Sequence, residues 1–167
     1  RIYRTADGVQ QRAFVAQVGW VNSLSYSPDG RYILPDGESF DSNTYIYNAA
    51  TGARTATLVT ESWNPLTPVF SADGSRVAAV NDAGTLVFNS NGWTQVGTLL
   101  PVFGGTFTCD GSALLVDMRT AAEVYSIETG ELLRTLDYGS IGCLSDGRTV
   151  SVDVEDPDLL RINYVEP

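Results

Sequence analysis

Carboxylates and aromatics gathered in short polar segments are the residues of this chain whose types and spacing allow chemistry. Asp36, Glu38 and Asp41 fall within residues 35–44, and Asp153, Glu155, Asp156 and Asp158 crowd a second segment. Asp82 and Asp117 stand in shorter segments, and Trp20, Glu61, Trp63, Pro65 and Tyr138 in a further set. Three chemistries use such groups. Paired carboxylates serve as acid and base in glycoside hydrolysis, which requires two acids held at a set separation. Nothing in the spacing holds two acids that way, so the chain is read as non-enzymatic. Oxygen ligands bind calcium, but Asp36-Gly37-Glu38-Ser39-Phe40-Asp41 lacks the EF-hand spacing and reads as a long hairpin loop. No metal or cofactor is expected. The third chemistry is a docking surface, where aromatics supply anchoring area and carboxylates select basic partners. It makes Trp20, Asp36, Glu38, Asp41, Glu61, Trp63, Asp82, Tyr138, Asp156 and Asp158 the candidate partner-binding residues.

The composition removes other classes. The ten basic residues are all arginine, and there is no histidine. Triads with a histidine base, histidine metal sites and Schiff-base lysines are therefore excluded. Twenty acidic residues give a net charge of -10, which repels phosphate backbones and anionic headgroups. No nucleic-acid partner is expected. The apolar run at 99–103 is interrupted by Pro101 and is far short of the roughly 20 residues of a membrane helix, so no membrane insertion is expected. Cys109 and Cys143 are the only cysteines, too few for a disulfide framework. Two free thiols are expected in preference to one bridge. Arg1 begins the chain without Met or a signal peptide, which points to processing or to a longer parent.

The elements that must position these loops recur. Tyr26-Ser27-Pro28-Asp29-Gly30 returns as Phe70-Ser71-Ala72-Asp73-Gly74, Phe107-Thr108-Cys109-Asp110-Gly111 and Cys143-Leu144-Ser145-Asp146-Gly147. The four glycines are 44, 37 and 36 residues apart. A second motif, out of phase with the first, ends in Gly8, Gly52, Gly92 and Gly130, spaced by 44, 40 and 38. Its repeated Tyr3, Tyr47, Phe88 and Tyr125 are read as packing residues. Apolar runs such as 77–80 and 114–116 have strand length, and the Asp-Gly, Thr-Gly and Asn-Gly pairs supply turns. Each period thus holds four short strands, a to d, and two tight turns.

Four-stranded units of about 40 residues are the blades of a β-propeller. The fold class expected is all-β, with about four antiparallel blades at 20–58, 65–99, 103–136 and 139–167, the last completed by 2–14 or by another chain. The segments Tyr-Ser-Pro-Asp-Gly-Arg-Tyr-Ile-Leu (26–34) and Val-Tyr-Ser-Ile-Glu-Thr-Gly-Glu-Leu-Leu-Arg-Thr-Leu (124–136) resemble WD-repeat and YVTN-type propellers over essentially the whole chain. Tyr-Asn, Phe-Asn and Tyr-Ser replace the Trp-Asp pair, so that pair's hydrogen-bond network does not carry over. The resemblance implies a rigid platform, commonly of six to eight blades. It leaves three arrangements open: part of a larger ring, one ring from two copies, or a closed four-blade ring. With the lack of lysine, it inclines towards a secreted or cell-envelope protein of a prokaryote.

Propeller connectivity puts the a–b and c–d turns on one face and the acidic b–c and d–a loops on the other. The reading is a platform that binds a protein or peptide through that second face. The alternatives are a carbohydrate or small-ligand propeller and a purely structural module. A ligand site repeated in every blade needs the same aromatic each time, and the third d–a loop offers Leu100-Pro101 where the others offer Trp20 and Trp63.

Overall fold

A computed structural model describes residues 1–13, 20–37, 43–60, 68–118, 121–136, 140–143, 149–153 and 161–165. All described secondary structure is β, and every pairing is antiparallel. No helix among these residues is long and apolar enough to cross a membrane.

The chain builds sheets in sequence order. A hairpin of β1 (Ile2–Tyr3) and β2 (Gln10–Arg12) comes first. Three four-stranded meanders follow. The first comprises β3 (Ser23–Tyr26), β4 (Tyr32–Asp36), β5 (Asn43–Asn48) and β6 (Arg54–Val59). The second comprises β7 (Val69–Phe70), β8 (Arg76–Asn81), β9 (Gly84–Asn89) and β10 (Gln95–Leu100). The third comprises β11 (Thr106–Phe107), β12 (Ala113–Asp117), β13 (Ala122–Ser126) and β14 (Leu132–Leu136). A three-stranded sheet of β15 (Ser140–Cys143), β16 (Thr149–Asp153) and β17 (Arg161–Val165) ends the series. In this structure β2 pairs with β1, and the described partners of β16 are β15 and β17.

Side-chain alternation explains why the central strands read as unbroken apolar runs: each is buried on both faces. In the first meander, Leu34 and Ile46 face Val77, Ala79, Leu86 and Phe88 of the second. Their neighbours Ile33, Tyr45 and Tyr47 face the opposite way, towards Ile2 of the hairpin. In the second meander, Ala78 and Val87 turn to Phe107, Leu114 and Val116 of the third. Ala113, Leu115 and Val124 form the far face of the third, with Leu136. The sheets therefore stack face on face, and the core consists of the layers between them.

The first layer is half filled. Ile2 covers the outer strands of the first meander, yet Tyr26 on β3 remains 46% exposed. Its counterpart Phe107, facing a complete sheet, is 2% exposed.

The Ser/Thr-x-Asp-Gly turns share one hydrogen-bond scheme. The Ser27 hydroxyl donates to Asp29 (2.6 Å) and accepts from the Tyr32 amide (2.9 Å), while Asp29 accepts from the Arg31 amide (2.9 Å). Ser71, Asp73, Ser75 and Arg76 repeat it, as do Thr108, Asp110, Ser112 and Ala113. Each scheme satisfies the donors exposed where the chain reverses.

Two sequence expectations are corrected. Cys109, expected as a free thiol, is disulfide-bonded, and Cys143 is the only other cysteine in the chain. Spacing in sequence does not reveal this, because pairing depends on which strands the fold brings together. The second correction concerns Gly92. The bond from the Asn89 amide to the Thr94 carbonyl matches those from Asn48 to Ala53 and from Ser126 to Glu131. That register puts Trp93, with φ +56°, where Gly52 and Gly130 have +75°. A tryptophan thus holds the left-handed position, and Gly92 precedes it.

Candidate functional site

The two ends of the stacked sheets carry different sets of connecting segments. At one end lie the Asp-Gly turns and the c–d turns, tied to each other. The Ala49 amide donates to the Arg31 carbonyl (2.8 Å), the Ser90 amide to the Ser75 carbonyl (2.8 Å) and the Ser90 hydroxyl to the Gly74 carbonyl (2.6 Å). Adjacent sheets join here as well, since Arg76 Nη1 donates to the Gly111 carbonyl (2.7 Å). The carboxylates at this end are engaged. The Ser27 hydroxyl and the Arg31 amide and guanidinium hold Asp29 down to about 2. Burial pushes Asp73 up, but its bonds from Ser71 and Ser75 outweigh this and leave it lowered. Thr108, then the Ser112 amide, lower Asp110. Groups held ionised in this way fix turns, and they are poor proton donors near neutral pH.

At the other end are the b–c and d–a loops. Trp20 and Asp36 are brought together there. The Asn22 amide donates to the Asp36 carbonyl (2.8 Å), and the Ser23 hydroxyl to its carboxylate (3.1 Å). Gly37 comes so close that a Cβ would stand 1.9 Å from the Trp20 carbonyl oxygen. The Trp20 side chain is 72% exposed. In the second meander, Thr85 fixes the equivalent junction. Its buried hydroxyl donates to the Val102 carbonyl (2.7 Å) and accepts from the Gly104 amide (3.0 Å). Asp82 is solvent-exposed in the b–c turn that follows β8, and Asp117 is solvent-exposed at the end of β12. Of the other candidates, Glu38, Asp41, Glu61, Trp63, Tyr138, Asp156 and Asp158 lie outside the described residues.

Sequence reasoning missed two members of this end. Phe103, in the third d–a loop, is 59% exposed, and Met118, beside Asp117, is 51% exposed. The third loop therefore presents an aromatic after all, three residues beyond Leu100. Leu100 and Val102 are buried while Phe103 projects. The signal was present in the run 99–103, but which of its residues faces outward is decided by the bonds of Thr85.

Exposed aromatic and thioether groups beside carboxylates, on loops anchored to rigid sheets, can grip a surface and select its charge. Among the described residues, no group of three or more Cys, Asp or Glu is placed to hold a metal ion. No protein-family model matches this chain, and no curated protein matches its sequence.

Proposed function

We propose that the chain is a region of a β-propeller that acts as a non-enzymatic interaction platform, docking a protein or peptide through its b–c and d–a loop end. One observation carries the reading. The loop end exposes Trp20, Phe103 and Met118 on segments anchored to the sheets, with Asp82 and Asp117 exposed at the same end. Large apolar side chains left in water on anchored loops are characteristic of docking surfaces. Face-to-face stacking of four-stranded meanders, joined in sequence order, supports the propeller reading. The test is affinity capture from the source organism with three baits: the wild type, W20A/F103A, and an R31A control at the opposite end. A partner held by wild type and control but lost from W20A/F103A supports the platform. Equal recovery on all three overturns it.

The half-filled first layer favours a second, compatible reading, in which the region is completed by further strands. Tyr26 and Leu24 are half exposed on the face where Phe107 is covered in the third meander. Strands of another chain or of a second copy would cover them. Light scattering across a dilution series tests the second-copy form. A stable mass near twice 18.0 kDa supports it, and a monomer at every concentration rules it out.

A further inference from the structure

We propose that Asn91 is a site of spontaneous deamidation, held in a turn poised for cyclisation. Asn91-Gly92 is the only Asn-Gly pair in the sequence. It forms the exposed tip of the turn between β9 and β10. The reaction needs the glycine amide nitrogen to attack the preceding side-chain carbonyl, so an amide already engaged in a hydrogen bond is withheld. At Asp7-Gly8 and in the three described Ser/Thr-x-Asp-Gly turns that amide is engaged. Gly8 donates to the Arg4 carbonyl (2.9 Å), Gly30 to Ser27 (2.8 Å), Gly74 to Ser71 (2.9 Å) and Gly111 to Thr108 (2.9 Å). Their carboxylates are moreover held ionised, and a carboxylate anion is a poor electrophile. Neither protection operates at Asn91. Its carboxamide is neutral, and the Gly92 amide has no hydrogen-bond partner among the described residues.

The turn's displaced register produces this exception. Elsewhere the left-handed glycine sits four residues after the turn's first amide and donates back across the turn, as Gly52 does to Asn48 (2.8 Å). Here Trp93 takes that place, and Gly92 moves to the free tip. Ser90 on one side is bonded to Gly74 and Ser75, and Trp93 on the other packs against Tyr32. The flanks are fixed and the Asn-Gly pair between them is accessible.

The step balances with water as the only co-reactant. The Gly92 nitrogen, losing its proton to solvent base, bonds to the Asn91 side-chain carbonyl carbon, and ammonia leaves. Water then opens the five-membered imide at either carbonyl, leaving aspartate or isoaspartate. Both add a negative charge, and isoaspartate lengthens the main chain by one carbon beside Trp93.

The experiment incubates the folded chain, the urea-unfolded chain and the N91Q variant at mildly alkaline pH, with peptide mass mapping and isoaspartate detection. Because exposed turn tips open at almost no free-energy cost, Asn91 in the folded chain should convert within about threefold of the unfolded rate. The Asp29, Asp73 and Asp110 sites should isomerise only once unfolded, and N91Q should show no gain at position 91. Isoaspartate formation should also shift the tryptophan emission of the folded chain relative to N91Q treated alike. Conversion suppressed by about a hundredfold on folding would place the site among protected segments and overturn the proposal.

Discussion

The Trp93 ring meets the Tyr32 ring edge-on across the boundary between the first two meanders, with centroids 5.0 Å apart and planes at 89°. The contact is made from a left-handed backbone position that glycine fills in the neighbouring turns. Non-glycine residues pay about 1–2 kcal/mol there, so the aromatic packing must outweigh the backbone preference.

A Gly/Ala pair at this position separates the two terms. W93G loses the ring but relieves the backbone, and half-buried aromatic truncation is expected to cost about 2 kcal/mol. W93A loses the same ring and keeps the strain, so it should be less stable than W93G by about a further 1 kcal/mol. Urea denaturation of the two variants checks this. If W93A proves the more stable, the backbone term is absent.

Gly97 shows the opposite situation, a glycine required by both space and conformation. Its φ is +65°, and a Cβ would stand 1.8 Å from the Ile127 carbonyl oxygen, where β10 meets the third meander. G97A must displace one sheet from the next and is expected to cost about 3 kcal/mol or more. G8A has the same backbone sign with open space around it, and should cost only about 1 kcal/mol. Equal midpoints for the two variants would refute the close approach.

The legible part of the fold was local. Strand length, alternation and the Ser/Thr-x-Asp-Gly turns are encoded within a few residues of one another, so the meanders could be read from the sequence. Trp93 was illegible because turn chemistry assigns the left-handed place to glycine, and only the Asn89-to-Thr94 bond reveals the shift. At the loop end, strand spacing was enough to read Trp20 and Asp82 as lying between strands. The exposure of Phe103 was not legible, because it depends on Thr85, 18 residues earlier in the chain. Cys109 was misread for the same reason, since its bonding depends on strand neighbours that sequence does not specify.

That disulfide has its own test. A native bridge typically contributes about 2–4 kcal/mol, in part by restricting the unfolded chain. Reduction with dithiothreitol, or C109S, should therefore lower the unfolding midpoint, and reduction should have no further effect on C109S. An unchanged midpoint in both cases would show that the bridge does not support the fold.

The three described Ser/Thr-x-Asp-Gly turns predict a particular acid limb. They bind the ionised carboxylates of Asp29, Asp73 and Asp110, so the folded chain holds protons there less tightly than the unfolded chain does. Protonation consequently favours unfolding, and stability rises with pH wherever the unfolded state binds more protons. Their contribution is fully present above the ordinary carboxylate range near pH ~4. It is lost as pH falls, for Asp29 towards about 2. Urea midpoints measured from neutral pH downward should be flat and then decline through this window. D73N/D110N should be less stable at neutral pH and show a shallower decline, because two of the titrating groups are gone. A decline in the double variant as steep as in the wild type would mean that acid acts elsewhere in the molecule.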